Sequence, residues 1–394
     1  MLAIIMVGFE MGWLMGLLDF IRRGRAHDDH HSTDTDPVER SGSVLSMLSE
    51  EDKRKLFEEF RSKMMYDMFV LTHEGRPNCN QALEKFRNLP GVQWNIKVLG
   101  AELASRYYIN GEPDRQALLN DPFIPNCRAT RFEDFLQSWF IDTCKMLKLA
   151  PRLHRKLWEE VYVVNVLKHK GKLIPGCRGI VFGVGRERLP SFFASMGVDI
   201  LATDLDPNND ASQGWIATDQ HGSLDRLYFK EYLEEEQFRR HVSFQYADMN
   251  NIPPELEGQF DFCWSICAFE HLGSIENGLA FVRNTGRLLK KGGVSVHTTE
   301  FNYTRSEETI DNWATVLFRR KDFELLANQL KESGYEVPHL SFDVGSTPVD
   351  LFIDIPPYPQ HKGDYYDERM SSLHLKLLVD GFPATCYGFN FSRV

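Results

Sequence analysis

The feature that most limits how this chain can fold begins after Gly176, where short apolar runs end in Gly or Asp and alternate with amphipathic stretches. A parallel sheet has that rhythm, because each strand needs a crossover, usually a helix, before the next can run the same way. The runs predict strands at Gly179 to Phe182, Asp199 to Thr203, Ser243 to Tyr246, Phe260 to Ser265 and Val294 to Thr298. Helices are expected between them, near Pro190 to Met196, His221 to Tyr232, Ser274 to Leu289 and Asp322 to Ser333. Two further strands, Asp350 to Ile353 and Thr385 to Phe391, close the chain with no strong helix between them, so the final pair is expected to be antiparallel.

Upstream, from Val44 to about Leu173, the pattern is helical. Leu45, Leu48, Phe57, Phe60 and Met64 recur at three- and four-residue steps among charges, and Ser49 ahead of Glu50, Glu51 and Asp52 is a good N-cap. Phe132 to Leu147 and Leu153 to Leu167 repeat the pattern. Residues 26–42, rich in His, Asp, Ser and Thr, read as a linker, with His27, His30 and His31 in a solvated tail. The first 18 residues are apolar, but Glu10 interrupts them, no basic segment precedes them, and they are short for a span of ~20 residues. An amphipathic surface helix, or translation from Met15, accounts for them; no stable membrane insertion is expected, and peripheral contact through the N-terminus is left open. The organisation is thus an apolar N-terminus and linker (1–42), a helical cap or substrate segment (43–173) and a catalytic core (174–394).

A hydrophobic content of 42% supplies a substantial core. The net charge of -11 would repel a phosphate backbone, so no nucleic-acid partner is expected. Arg152, His154, Arg155, Lys156, Lys168, Lys170 and Lys172 cluster, and read as a solvated helix face. Seven scattered cysteines with no Cys-x-x-Cys pair point to a reducing, cytoplasmic compartment and to no zinc motif.

The first strand runs into Phe182-Gly183-Val184-Gly185-Arg186-Glu187-Arg188, a turn so tight that it needs glycines where the backbone approaches a ligand. A dinucleotide fold would place a third glycine at position 188, where the chain has Arg188. Nineteen residues beyond Gly185 the second strand ends at Asp204, a carboxylate placed to accept both hydroxyls of a ribose. The third strand ends in Ala247-Asp248-Met249, where an acid can accept from an adenine amino group and a methionine can pack on its ring. The fourth ends in Ser265-Ile266-Cys267-Ala268-Phe269-Glu270-His271, and Lys290-Lys291-Gly292-Gly293 leads into the fifth.

This ordered set resembles the class I S-adenosylmethionine-dependent methyltransferases over about Gly171 to Val394, and looks similar to a bacterial subgroup found among surface-polysaccharide biosynthesis genes. The resemblance implies an α/β, Rossmann-like core with a seven-stranded sheet whose last strand is antiparallel, and S-adenosyl-L-methionine as cofactor. It implies that Gly183 and Gly185 lie under the methionine moiety, that Asp204 holds the ribose, that Asp248 and Met249 meet the adenine, and that Ser265 belongs to the cofactor site. The family often has an acid where this chain has Val181 and a third glycine where it has Glu187, so the methionine end would be held differently. Arg186 can pair with the methionine carboxylate, or equally with Glu187.

Methyl transfer from a sulfonium mainly requires the acceptor to be positioned and, for a hydroxyl, its proton removed. Open α/β folds bind ligands at the C-terminal edge of the sheet. Glu270 and His271 sit there, with His271 the better base and a loop-shaping role as the alternative. Relatives that hold a metal through Glu-x-x-Glu-His have an acid where this chain has Cys267, so no metal is expected. Glu300, Asn302 and Tyr303 reach the same edge as candidate substrate contacts, and Tyr107, Tyr108, Trp139 and Trp158 of the helical segment are candidate acceptor contacts. Asp354-Ile355-Pro356-Pro357-Tyr358 is a Pro-rich turn rather than a catalytic box. The expected activity is methyl transfer, favouring oxygen, to a small polar or glycan-related acceptor. The competing readings are an NAD(P)-binding Rossmann oxidoreductase and a non-catalytic cofactor-binding scaffold.

Overall fold

The computed structural model describes residues 89–110, 121–209, 212–217, 219–355 and 373–394, together with Ser49, Glu51, Asp52, Arg54, Lys55 and Glu58. The apolar N-terminus, the linker and the Pro-rich turn beyond Ile355 lie outside the described residues. Residues 1–94 form one compact unit and residues 95–394 another. In the smaller, Ser49 Oγ accepts from the backbone N–H of Asp52 at 3.2 Å, the expected N-cap.

The larger unit is built on an eleven-stranded sheet. Its strands are β1 (Cys127–Ala129), β2 (Arg178–Val181), β3 (Asp199–Asp204), β4 (Val242–Tyr246), β5 (Phe260–Ile266), β6 (Leu289–Asn302), β7 (Tyr335–Glu336), β8 (Leu340–Ser341), β9 (Ile353–Asp354), β10 (Lys376–Val379) and β11 (Phe382–Arg393). The main path runs β4-β3-β2-β5-β6-β11-β1-β8. The first five strands are parallel, and β11 runs antiparallel to β6 over nine residue pairs from Ala384↔Asn302 to Ser392↔Val294. This is the Rossmann-like core with its antiparallel last strand, enlarged beyond seven strands by β1 and by short edge pairings.

Alternation along the central strands sends side chains to two cores. Val181, Ala202, Phe262 and Trp264 pack on one face, with Trp158 and Val161 of the helix Arg155–His169. Ile180, Phe182, Leu201 and Cys263 pack on the other, with Phe281 of the helix Ile275–Thr285 and Phe323 of the helix Arg320–Glu332. A sheet covered on both faces makes each central strand apolar at nearly every position, which is why these strands read as continuous runs.

Four expectations need correction. The segment 44–173 is not helical throughout, because Cys127–Ala129 inserts as a strand between β11 and β8. Nor does its last helix stand apart from the core: eleven of the fifteen residues of Arg155–His169 are buried, and Tyr162 packs so closely on β11 that a Cβ at Gly388 would lie 2.3 Å from its ring. Asp350 to Ile353 was expected as a strand, yet Thr347 and Asp350 form a capping box that starts a short helix, Pro348–Leu351. His221 to Tyr232 is helical only as a 3-10 turn at Leu224–Leu227, because its first residues bond elsewhere: His221 Nε2 meets the carbonyl of Leu205 at 2.7 Å and Gly222 N–H donates to Asp204 Oδ2 at 2.8 Å. Among the described residues, no helix is long and apolar enough to cross a membrane.

Candidate active site

At the C-terminal ends of β2, β3, β4 and β5 lies a cavity of about 560 Å³, within the usual range for small-molecule sites. Gly183 and Gly185 form its floor with φ of 60° and 52°, a conformation that glycine adopts without strain. A Cβ at Gly183 would come 2.8 Å from the Ala268 side chain, and one at Gly185 would come 2.9 Å from the Gln220 carbonyl. The loop is therefore a cradle that any larger side chain would fill.

Asp204 closes β3 and ties the loop together. Its Oδ2 accepts from the N–H groups of Gly185 at 3.1 Å and Gly222 at 2.8 Å, and its Oδ1 accepts from Leu205 N–H at 2.8 Å. Two carboxylate oxygens offer about four lone-pair sites, so a ribose hydroxyl can still be accepted on Oδ1. Asp248 and Met249 line the cavity beyond it, Asp248 Oδ1 holding its own turn through Asn250 N–H at 2.8 Å. The glycine cradle, the acid after β3 and the acid and thioether after β4 together fit an adenosine-bearing cofactor.

Most other expected site residues lie elsewhere or are held by other partners. Ser265 is fully buried, and its Oγ meets His297 Nδ1 at 2.8 Å inside the second core, away from the cavity. Arg186 lines the cavity but pairs with Asp219 at 2.6 Å, and Arg226 holds the other carboxylate oxygen of Asp219 at 2.5 Å. Glu270 is buried off the cavity, accepts from Thr299 Oγ1 at 2.9 Å, and burial raises its pKa. Glu300 pairs with Arg155 at 2.6 Å, Asn302 braces its own loop through Thr304, and Tyr303 lies beside Lys376; none of the three lines the cavity. Nor do Tyr107, Tyr108, Trp139 or Trp158, and Trp158 is fully buried with its Nε1 donating to Asp134 at 2.8 Å.

His271 does line the cavity. Its Nδ1 lies 3.0 Å from the carbonyl of Ala314 and 3.1 Å from Thr315 Oγ1, so two polar groups orient the imidazole through that nitrogen. Trp215 meets the imidazole edge to face at 4.6 Å.

Lys156 and Glu160, on the helix Arg155–His169, also line the cavity, so the cluster taken as a solvated face contributes to the site. Arg155 in that cluster is buried, and His154 caps the helix by accepting from Lys156 N–H. Glu187 is the other unanticipated wall. Burial pushes its carboxyl up to about 8, against the lowering effect of the Trp264 hydrogen bond, with Glu160 and Glu159 adding to the rise. Burial also raises Glu160, partly offset by Arg188 at 3.3 Å.

Comparison with known proteins agrees with this geometry. Residues 180–297, from β2 through most of β6, match the model of a methyltransferase domain. Similar solved structures include a proposed sarcosine dimethylglycine methyltransferase from Galdieria sulphuraria, 15% identical over 65% of this chain and 98% of that one, with a TM-score of 0.38. Methyltransferases described as S-adenosylmethionine-dependent from Mesorhizobium loti (13% identity, 58% and 95% coverage, TM-score 0.34) and Aquifex aeolicus (15%, 59% and 89%, 0.31) are also similar. A search of curated proteins finds no match. Sheet order and site define a Rossmann-like nucleotide-binding core of the class I type. Residues 180–297 of the chain match a methyltransferase domain, and S-adenosylmethionine is the cofactor that match implies.

Proposed function

We propose that the protein transfers the methyl group of S-adenosylmethionine to a hydroxyl of a small polar or glycan-related acceptor. The observation that carries this reading is His271: it lines the same cavity as the glycine cradle, and its Nδ1 is engaged by the Ala314 carbonyl and Thr315 Oγ1, which leaves Nε2 as the ring nitrogen that would meet the acceptor. Bound in the cradle, the cofactor supplies an electrophilic methyl on a sulfonium leaving group. Asp204 would hold its ribose, and Asp248 and Met249 its adenine. Lys156 would meet the methionine carboxylate, while Glu160 and Glu187 would take its ammonium in place of the acid missing at Val181. As the oxygen–methyl bond forms and the sulfur–methyl bond breaks, His271 Nε2 takes the acceptor proton. The net charge of -11 argues for a small acceptor over a nucleic acid. The test is tritiated methyl transfer from S-adenosylmethionine into fractionated cell extract. Label in a small polar or saccharide fraction, stable to mild base as an ether is, supports the proposal; label in an ester or amine, or none at saturating cofactor, overturns it.

A further inference from the structure

Three segments far apart in sequence meet at the wall of the cavity. The helix Arg155–His169 brings Glu159, the turn after β5 brings Cys267, and β11 brings Cys386. Glu159 and Cys386 are fully buried, and Cys267 lines the cavity. Cys267 Sγ lies 2.8 Å from Glu159 Oε2 and Cys386 Sγ 2.9 Å from Glu159 Oε1, and the three ligand atoms all fall within 4.8 Å of one another. Cys267 is held at φ 44°, a strained conformation that surroundings must enforce. We propose that Glu159, Cys267 and Cys386 bind one soft divalent cation of the zinc class.

Two thiols this close raise the alternative of a disulfide, and strand spacing argues against it. Cys386 is paired with Glu300 on one side of β6, while Cys267 N–H bonds Thr298 on the other side. With strands ~4.8 Å apart the two backbones are roughly 9–10 Å apart, beyond the ~7 Å that a disulfide spans. A tetrahedral zinc-class ion with bonds of ~2.3 Å to each sulfur holds the two sulfurs about 3.8 Å apart, a separation that side-chain adjustment can reach from ligand atoms within 4.8 Å of one another.

Charge balance also favours the ion. A divalent cation that displaces two thiol protons leaves the net charge of this buried cluster unchanged, so no new charge is desolvated. Supporting donors are in place: Arg155 Nη1 lies 3.4 Å from Cys386 Sγ and 3.8 Å from Cys267 Sγ, its Nη2 is anchored on Glu300, and Thr298 Oγ1 donates to Glu159 Oε2 at 2.6 Å. Lys156 Nζ and Arg155 Nη1, 3.8 and 3.9 Å from Glu159 Oε1, oppose a cation, and the two thiolates with the carboxylates of Glu159 and Glu300 outweigh them. Outer hydrogen bonds of this kind orient metal ligands and stabilise thiolates. Three protein ligands leave a coordination position, as in catalytic rather than structural zinc sites.

The test uses the full chain, reduced and stripped of metal, titrated with Co²⁺ and then with Zn²⁺. The expected result is a sulfur-to-cobalt charge-transfer band that saturates at one equivalent and is displaced by Zn²⁺. Cys267→Ser and Cys386→Ser should each diminish the band at one equivalent and bind Zn²⁺ at least about tenfold more weakly. Should Cys386→Ser fail to fold, Cys267→Ser carries the test, because Cys267 sits on the cavity wall. Absence of the band in folded wild type overturns the proposal. So does a band of undiminished intensity, or undiminished Zn²⁺ affinity, in Cys267→Ser, since the ion would then sit on other cysteines or on His27, His30 and His31.

Discussion

Trp264 Nε1 donates to Glu187 Oε1 across 2.7 Å, joining the centre of β5 to the residue that follows the glycine cradle. The bond holds a carboxyl at one end of the cavity, in surroundings that favour its protonated form. The chain therefore presents an acid beside the cradle two residues after Gly185, and the apolar Val181 two residues before Gly183.

That acid makes stability depend on pH. The Glu187 carboxyl is raised from 4.5 to about 8 in the folded chain, so the folded state holds the proton more tightly than the unfolded state. Its contribution is complete below 4.5, falls as pH rises, and is gone above about 8. Denaturant unfolding of wild type between pH 5 and 9 should show stability declining across this window, and Glu187→Gln should flatten that part of the profile. Equal slopes in the two proteins would contradict the assignment.

Asp204→Ala should weaken S-adenosylmethionine binding by ~1–3 kcal/mol, the cost of hydrogen bonds to a charged partner. The variant also removes the acceptor shared by Gly185 and Gly222, so the loop loses its tie as well as its ribose contact. Isothermal titration of folded variant and wild type measures the difference, with NAD titrated alongside. Unchanged cofactor affinity, or preference for NAD, would remove Asp204 from this role.

Gly388→Ala tests the packing of the helix that delivers Lys156, Glu159 and Glu160. The new Cβ would meet three atoms of the Tyr162 ring at 2.3 to 2.6 Å, so the helix must shift off β11. A loss of ~1–3 kcal/mol is expected in chemical denaturation, typical of overpacking. A Tm equal to wild type would mean that the helix tolerates displacement.

How much of this was legible beforehand follows from locality. Gly183, Gly185, Asp204, Asp248 and Met249 sit at strand ends within contiguous motifs, so order and spacing exposed them. Lys156, Glu160 and Cys386 reach the same region only because a helix packs across β6 and β11, and no local pattern encodes that. Cys127–Ala129 is three residues long, too short for a strand period to register. The helix Pro348–Leu351 did carry a signal, Thr347 followed by Pro348 with an acid at Asp350, outweighed by the apolar Val349 to Ile353 stretch. Ser265 was misplaced because a strand's side chains alternate between faces, and its own points toward His297.

The last prediction separates two neighbours that the sequence offered as a pair. Glu270 is enclosed and bonded to Thr299, with its own carbonyl accepting from Val316 N–H at 2.9 Å, so it shapes the turn; His271 lies on the cavity. Once an acceptor is identified, His271→Gln should lower kcat by ~10²–10⁴-fold, the usual contribution of a positioned general base, with the cofactor Kd little changed. Glu270→Gln keeps a group that can accept from Thr299 Oγ1 and should retain most of kcat while lowering Tm, because the substitution disturbs a buried bond without touching the acceptor. Should Glu270→Gln abolish turnover in a folded protein while His271→Gln remains active, the proton would leave through Glu270, and the cavity wall at His271 would serve recognition alone.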